Sequence, residues 1–403
     1  MILHMKLLSA ALVGVVLLAI AACTSMPPPR RGEAAAGLEE KEEFIRIAIL
    51  QYEGLIHITV QGGSVVSGQQ TVKLDSSANI TADQTAIHIH GKSYSLPATV
   101  TSPNPLIIND MPVYGHIVLQ DAYIINVLPL EIYVAGVLQG EVPASWPSEV
   151  LKAQAVVSRT YARARMLSHD DEPFHAGSSV LFQKYDFSPG DEASSDDEAS
   201  SSNEAISGAV QDTAGEILIF DNQVIQAFFH ACSGGRTENS RDVFTEDYPY
   251  LRSIPDPYCA KNERFFWSYT IRGDELAKAL YENGVIDDIG DGVKDIRIHE
   301  KTGSGRAASF SLHMENGERL VVPGNAMRLA IDARSFKSLL ITRINRYRKG
   351  ATMEFSFEGR GYGHGVGMSQ WGAKAMADQG FTYEDILRFY YRGTRIGTIW
   401  DTR

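Results

Sequence analysis

Glu141 stands in the segment Gly140-Glu-Val-Pro-Ala-Ser-Trp-Pro147, with Trp146 close behind it. A carboxyl group among apolar and aromatic neighbours loses hydration. That raises its pKa and lets it hold a proton near neutral pH, ready to act as a general acid. The competing role is a solvated loop acid, or a cap for the helix that follows. Downstream come Lys152, Gln154, Arg159 and Tyr161. On a helix, Lys152 and Arg159 fall near the same stripe, and a basic stripe suits an anionic or hydroxyl-rich ligand. A solvated helix face accounts for the same pattern.

Three further clusters have chemical potential. Ser233, Gly234, Gly235, Arg236, Thr237 and Glu238 follow an apolar strand pattern, and the paired glycines allow a tight turn and close backbone approach. Ser233 would need a base such as His364 and an acid such as Glu238 to become a nucleophile. The Gly-x-Ser-x-Gly elbow is missing, which argues against a serine hydrolase. Glycine then recurs at every second position from Gly359 to Gly367. In an extended strand those glycines share one bare face, open to another backbone or a flat sugar ring, with Arg360, Tyr362, His364 and Val366 opposite. This spacing is neither a dinucleotide fingerprint nor a phosphate loop.

The cysteines and histidines leave alternatives open. Cys232 and Cys259 suit a disulfide in an oxidising compartment; with His230 they also suggest a metal site, although zinc would want a further ligand. His88 and His90 alternate with isoleucines and would point to one face, either as a metal pair or as a polar strand surface.

These side chains need elements to hold them. Residues 44–126 carry short alternating runs such as Ile45–Leu50, Ile56–Val60 and Ala86–His90, broken by turn residues, which predict antiparallel strands. From Leu128 the period becomes helical. One helix is expected from Pro129 to Leu138 and a second from Ser148, an N-cap residue, to Arg163, with Glu141 in the loop between them. Strands are predicted at Glu216–Phe220, Val224–Phe229 and Ser309–His313. Helices are predicted at Glu275–Asn283, Ser369–Gln379 and Tyr383–Tyr391, and an Arg- and Lys-rich stretch without a motif lies in 270–345. The class is α+β: antiparallel sheets with helices on one side, two-lobed around a binding groove.

Bulk properties restrict the setting. Lys6, the apolar run Leu7–Ala22 and Ile20-Ala-Ala-Cys23 form a secretory signal with a lipobox, so residues 1–22 read as a leader and Cys23 as the lipidated residue. The Pro-rich and polar stretch 23–43 reads as a tether. Net charge is -12, which argues against nucleic acid as partner. Much of the acid lies in the Ser-rich run 190–202, expected as a solvated loop and set aside from any active site.

Taken in order, Leu128–Val137, Gly140–Pro147, Leu151–Tyr161, Ser233–Glu238 with Tyr250-Leu251, and Gly361–Ala373 resemble the SpoIID/LytB family, which includes stage II sporulation protein D. The resemblance covers roughly residues 45–395, with 127–395 as the core, 44–126 as its β-rich N-terminal part and 396–403 as a tail. It implies a lytic transglycosylase acting on peptide-stripped peptidoglycan strands, with Glu141 as the catalytic acid. It also implies a glycan-contacting set of Lys152, Gln154, Arg159, Tyr161, Ser233, Gly234, Gly235, Thr237, Tyr362, His364, Gly365, Gly367, Met368, Ser369 and Gln370. No cofactor or metal enters this chemistry. Some members are described as enhancers of a cell-wall amidase, so a glycan-holding scaffold that recruits an amidase is the rival reading. A metallohydrolase built on His230, Cys232 and Cys259 is a third. The acidic insertion departs from the family pattern beside Gln183-Lys-Tyr185, and the sporulation role is not carried over.

Overall fold

The structure is a computed structural model that describes residues 42–74, 78–177, 197–244, 246–260, 262, 265–350 and 352–402. The leader, the lipobox cysteine and almost all of the tether lie outside these residues, as does the first half of the acidic run. Among the described residues, no helix is long and apolar enough to cross a membrane. The fold is α+β, with antiparallel sheets and two short parallel pairings, Phe44–Gln51 with Ala176–Gly177 and Phe229–His230 with Met368–Ser369.

The chain divides into two compact units, one made of residues up to Glu141 plus Arg165–Ser194, the other of Val142–Ala164 plus Ser195–Arg403. In the first, a seven-stranded sheet includes Phe44–Gln51, Tyr123–Pro129 and His116–Gln120 as neighbours, and a six-stranded sheet includes Ile56–Val60 beside Ala78–Ala82. Alternation dictates which side of each strand is covered. In Ile56–Val60, for example, Ile56, Ile58 and Val60 are buried while His57 is exposed. Tyr123–Pro129 leads directly into helix α1, Leu130–Glu141, whose residues Leu130, Tyr133, Val134, Val137 and Leu138 are buried.

Among its described residues the second unit has a small apolar cluster around Cys232, Cys259 and Phe265 and two large apolar cores. Helix α2, Ser148–Ser168, contributes Val150, Ala153, Val156 and Val157 to one of them, a face at helical spacing. Each such valine stabilises the unit by about 1.5–3 kcal/mol relative to an exposed position. Helices α6, Gln370–Ala377, and α7, Tyr383–Tyr390, complete that core. The other core lies between two three-stranded sheets and helices α4, Gly273–Glu282, and α5, Gly324–Ile331, around Phe310, Phe336, Phe355 and Phe357.

Five local expectations change. Helix α1 continues through Glu141, which is therefore a helix end rather than a loop residue. Helix α2 takes its first hydrogen bonds at the Pro147 carbonyl, so Pro147 caps it and Ser148 is the first helical residue. Helix α3, Asp197–Asp212, begins inside the acidic run, because buried Ile206, Ala209 and Val210 give the segment a helical face to pack; that half is not a loop. Val224–Phe229 resolves into two short strands, Gln223–Val224 and Phe229–His230. His88 and His90 do not share a face. His88 bonds Ser93 and Asp83, whereas His90 occupies the turn with φ +50°.

Candidate functional site

Glu141 is half-buried, at the carbonyl end of α1 and on the boundary of the first unit. The chain continues into Val142, which is buried, and a tight turn in which the Trp146 N–H donates to the Pro143 carbonyl at 3.0 Å. The turn carries Trp146 edge-on to Trp371 of α6, ring centres 5.0 Å apart. That aromatic pair, and every other site residue discussed below, belongs to the second unit.

Along α2 the expected basic stripe does not form. Lys152 is partly buried, pairing with Asp212 at 2.9 Å and with Glu149 at 3.7 Å. The Asp212 hydrogen bond raises its pKa, so it stays cationic. Arg159, by contrast, is fully enclosed, and its guanidinium donates to the carbonyls of Glu216 at 3.1 Å and Val210 at 3.4 Å. It ties α2 to the end of α3 and the strand that follows, out of reach of an incoming ligand. A seven-residue interval on a helix gives two side chains similar directions, but it does not say which has a wall in front of it. Gln154 is also buried. It donates to Ser158 at 3.1 Å and accepts from Gln370 at 3.4 Å, joining α2 to α6. Tyr161 lies beside Phe228, ring centres 6.1 Å apart.

The glycine-rich stretch is not a strand. The strand Thr352–Arg360 stops where the alternation continues, and Gly361, Gly363, Gly365 and Gly367 all take positive φ. The backbone needs glycine there for conformation and for space. A Cβ on Gly367 would come within 1.9 Å of the Phe228 carbonyl oxygen, and one on Gly365 within 2.5 Å of the Arg306 guanidinium. The bare side is thus occupied by the protein itself, by residues 228–234 and Arg306, and not by a sugar. Tyr362 exchanges backbone hydrogen bonds with Cys232, and the Gly365 carbonyl accepts from the Glu238 N–H.

Three polar clusters surround this loop. In the first, Ser233 and Tyr390 both donate to Asp256 Oδ2, at 2.7 and 3.2 Å, while the Gly235 N–H donates to Ser233 Oγ at 3.1 Å. Burial raises the Asp256 pKa, and these donors, with the Cys259 N–H, oppose it. Ser233 is fully buried with its hydroxyl given to a carboxylate, which rules it out as a nucleophile served by His364. Ser369 caps α6 and accepts from the N–H of Gly372 at 3.2 Å and of Ser233 at 3.3 Å. In the second cluster, Glu238 accepts from Thr302 and Ser304, each at 2.6 Å, and Arg306 donates to Ser304 at 3.0 Å and to the Ser233 carbonyl at 2.7 Å. Burial lowers the Arg306 pKa to about 10 although Glu238 pulls it up. Thr237 closes the same turn through its hydroxyl, which accepts from the Ile254 N–H at 2.9 Å.

The third cluster is a histidine pair. His230 Nδ1 lies 3.0 Å from the Val366 carbonyl, and His364 Nδ1 accepts from the Val366 N–H at 3.0 Å. The rings are 5.6 Å apart, with Phe244 and Phe228 around His364. Burial, then the Arg328 charge, pushes His364 down to about 4, and His230 is also well below its ordinary value. Both are neutral at pH 7, as hydrogen-bonding groups and not as charges. Cys232 and Cys259 form a disulfide, Cα atoms 6.1 Å apart, so neither thiolate is available to a metal and the three-ligand site with His230 is not present.

The sequence reading missed Asp256, Arg306 and Tyr390 and took Glu238 only as a possible triad acid. Thr302-Gly-Ser-Gly-Arg306 offered a weak signal, since two hydroxyls and a guanidinium close together supply several donors that a carboxylate can accept from. Asp256 offered none.

The chain is similar in sequence to known proteins. Residues 119–220 match the SpoIID family, described as stage II sporulation protein, and residues 251–367 match a domain of unknown function, DUF8618. Stage II sporulation protein D of Bacillus subtilis is 33% identical over 273 residues, 67% of this chain and 74% of that protein. An uncharacterized protein of Brachyspira hyodysenteriae is 32% identical, covering 72% of this chain and 73% of its own. The chain belongs to the stage II sporulation protein D family. A more distant relative is the amidase enhancer of Bacillus subtilis, 29% identical over 65% of this chain and 40% of that protein.

Proposed function

We propose that this protein is an exported, lipid-anchored lytic transglycosylase that cuts peptide-stripped peptidoglycan strands with Glu141 as its single acid and base. One observation carries the reading: the family match over 119–220 spans α1, the Gly140–Pro147 turn and α2, with Glu141 half-buried at the end of α1. Glu141 protonates the glycosidic oxygen between MurNAc and GlcNAc. Its carboxylate then takes the proton of the MurNAc 6-hydroxyl as that oxygen attacks the anomeric carbon, leaving a 1,6-anhydro end. Hydrolytic glycosidases generally divide these tasks between two carboxyl groups, but an internal nucleophile removes the need to activate water. Proton transfer contributes roughly 10²–10⁴-fold, and positioning of the 6-hydroxyl supplies much of the remainder. No cofactor takes part.

Inside the second unit, Lys152, Tyr161 and Tyr362 remain the candidate glycan contacts. Gln154, Arg159, Ser233, Gly234, Gly235, Thr237, His364, Gly365, Gly367, Met368, Ser369 and Gln370 position the segments that present them. Cys23 is the lipidation site in this reading, and the amidase-enhancer relative supports a second one, a glycan-holding activator of a cell-wall amidase.

The test is mass spectrometry of peptide-free strands after incubation with the protein. Products ending in 1,6-anhydro-MurNAc, absent with Glu141→Gln, are expected. Reducing ends would mean hydrolysis and a second carboxyl. Intact strands under conditions where binding is measured would replace the enzyme with the activator.

A further inference from the structure

The sheet formed by the strands Phe266–Arg272, Thr352–Arg360 and Ile341–Lys349 lies within the domain of unknown function. Its register separates two faces. Trp267, Gly359 and Ile341 are opposite one another, with Trp267 and Ile341 buried in the core below. Phe266 pairs with Arg360, and Ser268 and Arg343 pair with Glu358, on the other face. That outer face holds a hollow of about 510 Å³, lined by Phe266, Ser268, Thr342, Glu358 and Arg360, with Trp267 and Gly359 at its floor. A bulge between Ile341 and Arg343 brings Thr342 to its rim, where the hydroxyl donates to the Glu358 carbonyl at 3.1 Å.

The chemistry of the lining is specific. Phe266 is 51% exposed, so its ring presents a flat apolar surface beside the hollow. Glu358 is engaged by Arg343 at 3.6 Å and Asn345 at 3.4 Å. Arg360 has no ion-pair partner among the described residues. The hollow therefore offers one uncommitted guanidinium next to an aromatic platform and several hydroxyl and carboxylate acceptors. An aromatic face stacks on the C–H face of a pyranose, and a free guanidinium binds a carboxylate through two parallel hydrogen bonds. Its volume falls within the roughly 300–1,000 Å³ of small-molecule sites.

We propose that this hollow is a saccharide subsite that recognises a peptide-free muramyl residue, its ring stacked on Phe266 and its lactyl carboxylate held by Arg360. The proposal rests on the peptidoglycan reading above and adds the residues that select for stripped strands. A stem peptide converts that carboxylate into an amide, which removes the negative charge Arg360 would bind.

The test uses the Glu141→Gln protein, so that strands are held and not cut, and measures affinity calorimetrically for three probes: peptide-free GlcNAc–MurNAc oligosaccharides, the same oligosaccharides with the lactyl carboxylate converted to a methylamide, and GlcNAc oligomers of equal length. The carboxylate form is expected to bind about tenfold more tightly than the other two. Adding Arg360→Gln should abolish that preference and leave the methylamide affinity unchanged, with Arg360→Lys recovering part of it. Phe266→Ala should weaken all three. Equal affinities for the carboxylate and methylamide forms, or an equal loss for both in Arg360→Gln, would overturn the subsite. Cleavage by the protein with Glu141 intact is scored separately. Anhydro products without a carboxylate preference would sink only the subsite, whereas neither binding nor products would sink both readings.

Discussion

Removing the titration of His364 should flatten the acid side of the stability curve. The ordinary value of 6.5 governs the unfolded chain, and about 4 governs the folded one, because burial first and the Arg328 charge second disfavour the imidazolium. Above about pH 6.5 the ring is neutral in both states and its contribution to stability is fully present. As pH falls from there to about 4, the unfolded chain binds a proton that the folded chain refuses, and stability is lost. About 2.5 pH units at about 1.4 kcal/mol each set a ceiling of roughly 3.5 kcal/mol. The ring is only half-buried by its surface, so water screens part of this and about 2 kcal/mol is the expected loss.

His364→Asn is the informative substitution, since its amide oxygen can still accept from the Val366 N–H that His364 Nδ1 now serves. The four tryptophans, 146, 267, 371 and 400, all lie in the second unit, so urea titrations followed by tryptophan fluorescence report on the unit that contains the histidine pair. Between about pH 7.5 and 4.5 the parent should lose about 2 kcal/mol more than the variant. His230 acts in the same direction, because burial first and the neighbouring His364 second hold its value well below the ordinary one. Parallel curves would refute the claim that the folded environment keeps His364 neutral.

Two substitutions probe the frame around the site. Arg159→Met fills the volume but strands the carbonyls of Val210 and Glu216, and a loss of about 3 kcal/mol is expected in urea unfolding; a change under about 0.5 kcal/mol would show that the guanidinium is not holding α2 to α3. Gly367→Ala combines φ +73° with a contact of 1.9 Å to the Phe228 carbonyl and should cost about 3 kcal/mol or more, whereas Gly284→Ala, at φ +66° with nothing within 4 Å, should cost about 1 kcal/mol. Equal melting temperatures for the two would mean that strain, and not the close approach, explains the glycines.

Periodicity read the regular elements well because it is a direct imprint of burial. Ile56–Val60 and Glu216–Phe220 appear with the boundaries their alternation predicts, and Tyr383–Tyr390 ends one residue early, at the cap hydrogen bond to Leu387. The position of Glu141 was nearly legible, although Gly140 suggested a break where the helix continues. Gly at that point costs the helix about 1 kcal/mol relative to Ala, which buried Val137 and Leu138 in the preceding turn can offset.

Tertiary partners were not legible, and they decide the site. The alternation from Gly359 to Gly367 satisfies the arithmetic of a strand, yet a positive φ at every second residue from Gly361 gives the same sequence signature. The two explanations differ only in what faces the glycines, and that is residues 228–234, more than 125 residues earlier, together with Arg306. The same distance separates Ser233 from Ser369, and 73 residues separate Arg306 from the Ser233 carbonyl it holds. A chemically reactive residue type next to glycines therefore says little until its hydrogen-bond partners are known. Ser233, the most nucleophile-like residue in the chain, spends its proton on Asp256, and Arg159, a ready-looking anion ligand, spends its donors on carbonyls. Elimination of these two moves attention to Glu141, half-buried at its helix end, and to Arg360 at the rim of its hollow, which has no ion-pair partner among the described residues.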